Sequence, residues 1–455
     1  MARISRTVGD LRPGPVVNGH SRAATHDLLH RAPRLRPPGP TPAPRVATTA
    51  PAPEARHGRP AAPPDPAAAV AGATPPRVLF LTSSASMYGS ERALTELIHE
   101  LRALGATAAV VVPGPGPLVE LLGRAGVAVS MQPLSIIGRD MGREEVLGAP
   151  AVLVRPRPPL LDFARAFGPT VVYSNTSHIL DGPALARACS VPHVWHLREI
   201  ERVPTAVRRA FALWLLATGE RVIAISEPVR KAAYGERFER PTVVHDGIDL
   251  VHYSSGAAYV APPAFDEQRP LRILSAARVT RWKGQHVAAA AVAKLTRRGR
   301  PVTLRVVGDP ATDDDQAYLA DLAAAAGASR GSIAIVPGVA DVRPQLAWCD
   351  VLVHTSVAPE PFGRSVLEAM AYPRTVVASA LGGPSSVLGD AGILVPAANP
   401  EALAAALDRL VDAPALIEEH AARGQARAQA FSAGANGRGV HRVLTGLAPG
   451  MVGSR

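Results

Sequence analysis

From Arg77 onward, short runs of consecutive apolar residues alternate with stretches in which apolar residues recur every three or four positions. "RVLFLTS" is a strand candidate. It is followed by "SERALTELIHELRALG", which places Ala93, Leu94, Leu97, Ile98, Leu101 and Leu104 on one helical face. Ser90 stands where a cap would be and Gly105 where the helix would end. The rhythm continues through "TAAVVVP", a helix near 116–123, "VAVSMQPL", "TVVYSN", "HVWHLR" and "RVIAIS". Strands alternating with helices predict βαβ units and a parallel sheet, and near-continuous apolar strands predict a sheet covered on both faces. Residues 250–270 lose the pattern and read as a connection. It restarts at "LRILSAA" and runs through helix 285–297, "TLRVVG", helix 315–326, "SIAIVPG", "VLVHTS", "TVVASA", "ILVPA" and a helix from Glu401. The fold class is therefore α/β, with two parallel-sheet domains over 76–249 and 271–430. In this architecture ligands bind at the carboxyl ends of the strands, here in the cleft between the domains.

Composition changes the picture at the ends. The apolar fraction of 47% is enough for two cores, although aromatics are only 4%. Of the 49 basic residues only Lys231, Lys283 and Lys294 are lysines, so the net charge of +11 reflects an arginine-rich composition more than a polyanionic partner. Residues 1–75 hold ten of the arginines against four acids, and a third of the prolines. They read as a disordered, solvated tail without the apolar segment of a signal peptide. No nucleic-acid partner is expected. Cys189 and Cys349 lack metal-type spacing, and a reducing, cytoplasmic setting is the default. The apolar run "AFALWLLA" at 210–217 is too short to span a membrane and reads as a buried helix. Arg208, Arg209 and Arg221 at its flanks keep a peripheral membrane contact in play.

Two loops at strand ends carry candidate chemistry. In "SAARVTRWKGQH", Arg278 and Lys283 follow a strand and Gly284 opens the next helix. Two permanent cations there suit a diphosphate, one through a planar fork and one as a point charge. In "PEPFGRSVLEAMA", Gly363 starts a helix whose free N–H groups favour an anion. Glu360 precedes that terminus and Glu368 lies about one turn inside. The pair could bracket a nucleotide-sugar, one acid on sugar hydroxyls and the other on a ribose; the alternative is a loop glutamate and a helix-surface glutamate with no shared ligand.

"EPFGRSVLEAMA" strongly resembles the E-x7-E signature of retaining GT-B glycosyltransferases of family 4. "SAARVTRWKG", "RVVGDP", "VIAISEPVRKAA", "VVHDGID", "ASALGGPSSVLGDAGILVPAANPEALAAAL" and "LFLTSSASMYGSERAL" resemble further motifs of that family, in order, over about 77–445. The resemblance implies a GT-B fold of two facing Rossmann-like domains, with segment 431–455 packing back on the first. It implies a retaining, metal-independent, front-face transfer of a sugar from a nucleoside-diphosphate donor to the hydroxyl of a glycan, lipid or small molecule. No further cofactor is implied. Arg278 and Lys283 would neutralise the leaving diphosphate. The backbone at Phe362, Gly363, Arg364 and Ser365 would contact sugar and phosphates, Glu360 would hold sugar hydroxyls and Glu368 the ribose. Gly89 would lie beside the donor phosphates, and His196 would place the transferring sugar. Read without the family, His196 is a core histidine or a partner of Glu199.

The chain departs from the family pattern at Ala277, at Asp246 where asparagine is usual, at Ser386 where glutamate is usual, and in "YGSE". The last two motivate an alternative, a catalytically degenerate fold serving as a binding or scaffold subunit. "ATDDDQ" contains a D-x-D but opens a helix, where acids are favoured without a metal.

Overall fold

The computed structural model of the chain describes residues 75–137, 153–201, 203–236, 241–254, 258–329 and 331–447. The tail expected over 1–75 lies, but for Pro75, outside them. Among the described residues thirteen strands form two sheets. The first contains β1 (Arg77–Leu81), β2 (Thr107–Val112), β3 (Ala128–Met131), β4 (Val171–Ser174), β5 (His193–Leu197), β6 (Arg221–Ala224) and β7 (Thr242–Val243). Its order is β3-β2-β1-β4-β5-β6-β7, parallel throughout. The second contains β8 (Leu271–Ala276), β9 (Val302–Val307), β10 (Ile333–Val336), β11 (Val351–His354), β12 (Thr375–Ser379) and β13 (Ile393–Val395). It is also parallel, in the order β10-β9-β8-β11-β12-β13.

Both orders reverse beside the first strand, between β1 and β4 and between β8 and β11. The loops leaving β1, β8 and β11 thus stand at the two switch points, where the diverging crossovers leave room for a ligand. Sheets covered by helices on both faces need apolar side chains on both faces, and β1, β4, β5, β11 and β12 are buried almost end to end. One apolar cluster runs from one domain into the other and includes Ile225, Val229, Ile248, Phe362, Val366 and Phe431.

The connection after β7 holds a short helix, Leu250–Tyr253, capped by Asp249. Its later part is tied to the second domain through Asp350, which accepts from Tyr259 Oη at 2.8 Å and pairs with Arg269 at 2.5 Å. Helix Ala415–Ala428 lies on the second domain, where Ile417 joins the core. The chain then crosses back: helix Ala433–Thr445 places Val440 and Leu444 in the core beside Val78, Phe80 and Leu94.

Two local expectations are corrected. Helix Gly89–Ala103 begins before Ser90, so Ser90 lies in its first turn and does not cap it. The apolar run 210–217 falls in helix Thr205–Thr218, of which only Leu215 is fully buried. Phe211 and Trp214 pack partly against the core around Trp195, while Val207 and Leu213 are 52% and 68% exposed. A helix lying on the outside of a sheet buries one stripe only, so an all-apolar run leaves residues facing outward. No helix among the described residues is long and apolar enough to cross a membrane.

Candidate active site

Between the carboxyl edges of the two sheets lies a cleft of about 830 Å³. That falls within the size range of small-molecule sites. The loop and helix start at 86–92 and Arg198 line one wall; Arg278, Lys283, Glu360, Arg364, Ser365 and Glu368 line the other.

The two cations of the loop after β8 differ in state. Arg278 is exposed and has no ion-pair partner among the described residues; its guanidinium stands 5.8 Å from the Tyr88 ring across the cleft. Lys283 is only 14% exposed and its Nζ lies 2.7 Å from Glu360 Oε1. Gly284 ends this loop with φ +70°, and a Cβ there would come within 2.0 Å of the Thr355 carbonyl oxygen. Only glycine admits that turn and that approach, which pins the Lys283 loop against the end of β11.

Glu360 is held from three sides. Besides Lys283, His354 Nε2 lies 2.7 Å from Oε2 and Ser356 Oγ donates to Oε2 at 2.9 Å. Burial alone would push this carboxyl up, but the charges of Lys283 and His354 and their hydrogen bonds override it and hold it well below the usual range. The carboxylate is fixed and ionised. His354 and Ser356 were not expected here; the signal available was their place at the carboxyl end of β11, directly before the motif.

Gly363 stands at φ +95° before helix Arg364–Ala371, with Pro384 where a Cβ would point. Phe362 packs its ring toward His245 and Phe431, away from the cleft lining. Inside the helix, Glu368 is buried with Oε1 at 3.2 Å from Arg364 Nε. The same guanidinium reaches Glu96 Oε1 of the first domain at 2.6 Å and the Gly247 carbonyl at 3.3 Å. Burial works against its charge, but Glu96 and Glu368 outweigh that and push its pKa up.

The opposite wall is less satisfied. Gly89 opens helix Gly89–Ala103 facing the Arg364 side chain, which a Cβ at Gly89 would approach to 3.8 Å. Glu91 is buried, burial pushes its carboxyl up, and its Oε2 has no hydrogen-bond partner among the described residues. Arg198 pairs with Asp246, the residue standing where asparagine is usual, and its Nε is left without a partner. His196 is fully buried on β5, with Nδ1 2.8 Å from Tyr173 Oη and no partner at Nε2. Burial, then the charge of Arg198, drives its pKa well below the usual value. His196 does not pair with Glu199, whose carboxylate accepts from the hydroxyls of Thr176 and Ser177.

The cleft thus brings together Gly89, Arg278, Lys283, Glu360, Arg364, Ser365 and Glu368, while Phe362, Gly363 and His196 lie behind its surface. Elsewhere, the acids of "ATDDDQ" sit in the first turn of helix Asp313–Gly327, which Thr312 caps through Asp315 N–H at 3.2 Å. The backbone carbonyl of Ser386 accepts from Arg427 Nη2 at 2.7 Å.

Two family models match. Residues 270–413 match the model described as Glycosyl transferases group 1, and residues 87–252 the one described as Glycosyltransferase Family 4. A D-inositol 3-phosphate glycosyltransferase of Rhodococcus erythropolis is 28% identical over 249 residues, 52% of this chain and 56% of its own length. One of the same description from Streptomyces griseus is 47% identical over 83 residues, 18% of this chain and 17% of its own. The chain's match therefore spans little more than half of the first relative and less than a fifth of the second. Among solved structures, Anabaena Alr3699/HepE in complex with UDP superposes with a TM-score of 0.67 at 24% identity, over 82% of this chain and 100% of that one. Its complex with UDP-glucose gives 0.66.

Proposed function

The chain belongs to the group 1, family 4 glycosyltransferases, and from that premise we propose that it moves a sugar from a nucleoside-diphosphate donor to an acceptor hydroxyl. The observation that carries this reading is the second-domain wall of the cleft. There Arg278, Lys283, Glu360, Glu368 and the start of helix Arg364–Ala371 converge. The donor diphosphate lies against Arg278, Lys283 and the helix start, its ribose on Glu368 and its sugar hydroxyls toward Glu360. Lys283 has three ammonium protons, so its bond to Glu360 orients it and leaves donors for phosphate.

As the glycosidic bond breaks, negative charge grows on the diphosphate. Fixed cations and N–H groups already aimed there stabilise the transition state more than the ground state. These groups supply the neutralising charge, which supports a metal-independent reaction. Glu360 is ionised and pinned by three partners, so it does not serve as the covalent nucleophile of a retaining glycosidase; Oε1, which meets Lys283 alone, keeps a lone pair for a sugar hydroxyl. Retention then proceeds by front-face attack, the departing phosphate oxygen taking the acceptor proton. The acceptor lies against the first domain, where Glu91 Oε2 and Arg198 Nε await hydrogen-bond partners. Because a solved neighbour is a complex with UDP-glucose, a uridine donor is the first to test.

Thermal unfolding with UDP, GDP, ADP and dTDP, with and without EDTA, tests the reading. A nucleotide at a hundred times its dissociation constant adds about 2.7 kcal/mol of stability. The expected result is stabilisation by one of them, indifference to EDTA, and loss of the effect in Glu368→Ala. NMR of the glycoside formed then reads its anomeric configuration. Stabilisation by none overturns the proposal in favour of a scaffold role.

A further inference from the structure

We propose that Glu96, on the first domain, is a positioning residue of the donor site: by sharing the Arg364 guanidinium it keeps that arginine from closing over both oxygens of Glu368. The inference rests on the reading of Glu368 as the acid that accepts the donor's ribose hydroxyls. Glu96 itself does not line the cleft, so it acts through Arg364.

Arg364 is a single buried cation between two carboxylates, Glu368 of its own domain and Glu96 of the other. Its Nε meets Glu368 Oε1 at 3.2 Å and its Nη2 meets Glu96 Oε1 at 2.6 Å, while Nη1 donates to the Gly247 carbonyl. The side chain is 15% exposed, and those of Glu96 and Glu368 are 22% and 11% exposed. A guanidinium is a rigid planar fork that prefers to grip one carboxylate through two parallel bonds. Here the fork is divided, and each carboxylate receives one N–H. The Tyr253 hydroxyl adds a bond to Glu368, which leaves that carboxylate still less room for a second arginine N–H if the ribose is to be held. A ribose presents two hydroxyls, and a carboxylate gripped at both oxygens has little left to accept them. Remove the charge at Glu96 and a buried guanidinium loses one of its two ionic partners, a costly state unless it turns fully onto the other. That other is Glu368. The donor acid is thus set by the domain that does not carry it, and only when the two walls stand together as here.

Calorimetric titration with the nucleoside diphosphate that stabilises the wild type tests this. Glu96→Gln, nearly isosteric, is expected to weaken nucleotide binding at least tenfold, and Glu96→Asp less. The decisive variant is Glu96→Gln combined with Arg364→Met. With no arginine to close over Glu368, the double variant is expected to bind as Arg364→Met alone does, so the Glu96 effect vanishes in that background. Both variants of that comparison leave Glu368 without its arginine, so the cost of that buried carboxylate is common to the two and cancels in the difference. Unchanged affinity in Glu96→Gln overturns the proposal. So does a Glu96 loss that persists undiminished without Arg364, as a merely structural role would give. If the wild type binds no nucleoside diphosphate, the reading of the donor site fails and this proposal falls with it; if it binds and the cycle is additive, only the proposal falls.

Discussion

The two walls of the cleft solve different problems. On the second domain both buried carboxylates of the cleft are answered, Glu360 by Lys283, His354 and Ser356 and Glu368 by Arg364, and the unpartnered atoms there, such as Gln285 Oε1 and His354 Nδ1, belong to an amide and an imidazole. On the first, Glu91 Oε2 and Arg198 Nε are buried without partners among the described residues, and so is His196 Nε2 behind the cleft surface. A buried polar atom without a partner costs about 1–3 kcal/mol. Such groups persist where a ligand supplies the missing bonds. Under the proposed function, the contrast is that of a donor wall organised in advance for a diphosphate and an acceptor wall completed by its substrate.

Lys283→Ala breaks the organised wall most severely. It removes a proposed phosphate cation and strips Glu360 of one of the two partners, with His354, that lie 2.7 Å from its oxygens. Loss of one member of a buried pair costs about 3–5 kcal/mol, and loss of one transition-state donor about a hundredfold to a thousandfold in kcat. Both losses are expected together, read by thermal unfolding and by turnover with the identified donor. Arg278→Ala sharpens the comparison. Arg278 is exposed and has no ion-pair partner among the described residues. Its removal should leave stability within about 0.5 kcal/mol while lowering kcat about a hundredfold. If Arg278→Ala unfolds the protein, or Lys283→Ala leaves stability untouched, the assignment of one free and one structural cation is wrong.

That difference was not legible in the sequence, where Arg278 and Lys283 stand five positions apart in one loop. What was legible is local. Apolar runs and helical periodicity marked both sheets, and helix Gln285–Arg297 falls where its period placed it. The E-x7-E spacing put both acids at one strand end. What was not legible depends on residues far apart. Glu96 meets Arg364 from 268 positions away, and neither belongs to a pattern that names the other. The exposure of helix Thr205–Thr218 was hidden for a related reason: an all-apolar run does not say which stripe a neighbour will cover. The environment of His196 turned on Tyr173, a residue in another strand candidate with nothing to mark it as a partner.

The smallest effect concerns protons on β5, and it separates two roles for His196. Burial lowers the pKa of His193 to about 3 and that of His196 well below its usual value. Both are therefore neutral when folded, while in the unfolded chain each takes up a proton below about pH 6.5. The unfolded state then binds more protons, so stability is full above that pH and declines as pH falls. The decline is about 1.4 kcal/mol per pH unit for each histidine. Glu91, Glu96 and Asp181, whose carboxyls burial pushes up, titrate in the opposite sense. The useful quantity is therefore the difference in slope between wild type and variant. His193→Gln and His196→Gln should each flatten the decline between pH 6.5 and 5 by that amount, measured by denaturant unfolding. The two reductions should add in the double variant. A His196→Gln slope equal to the wild type's would mean that His196 carries a proton in the folded protein. It could then act as an acid on the leaving group. A flattened slope leaves it a neutral imidazole, which has no such proton to give.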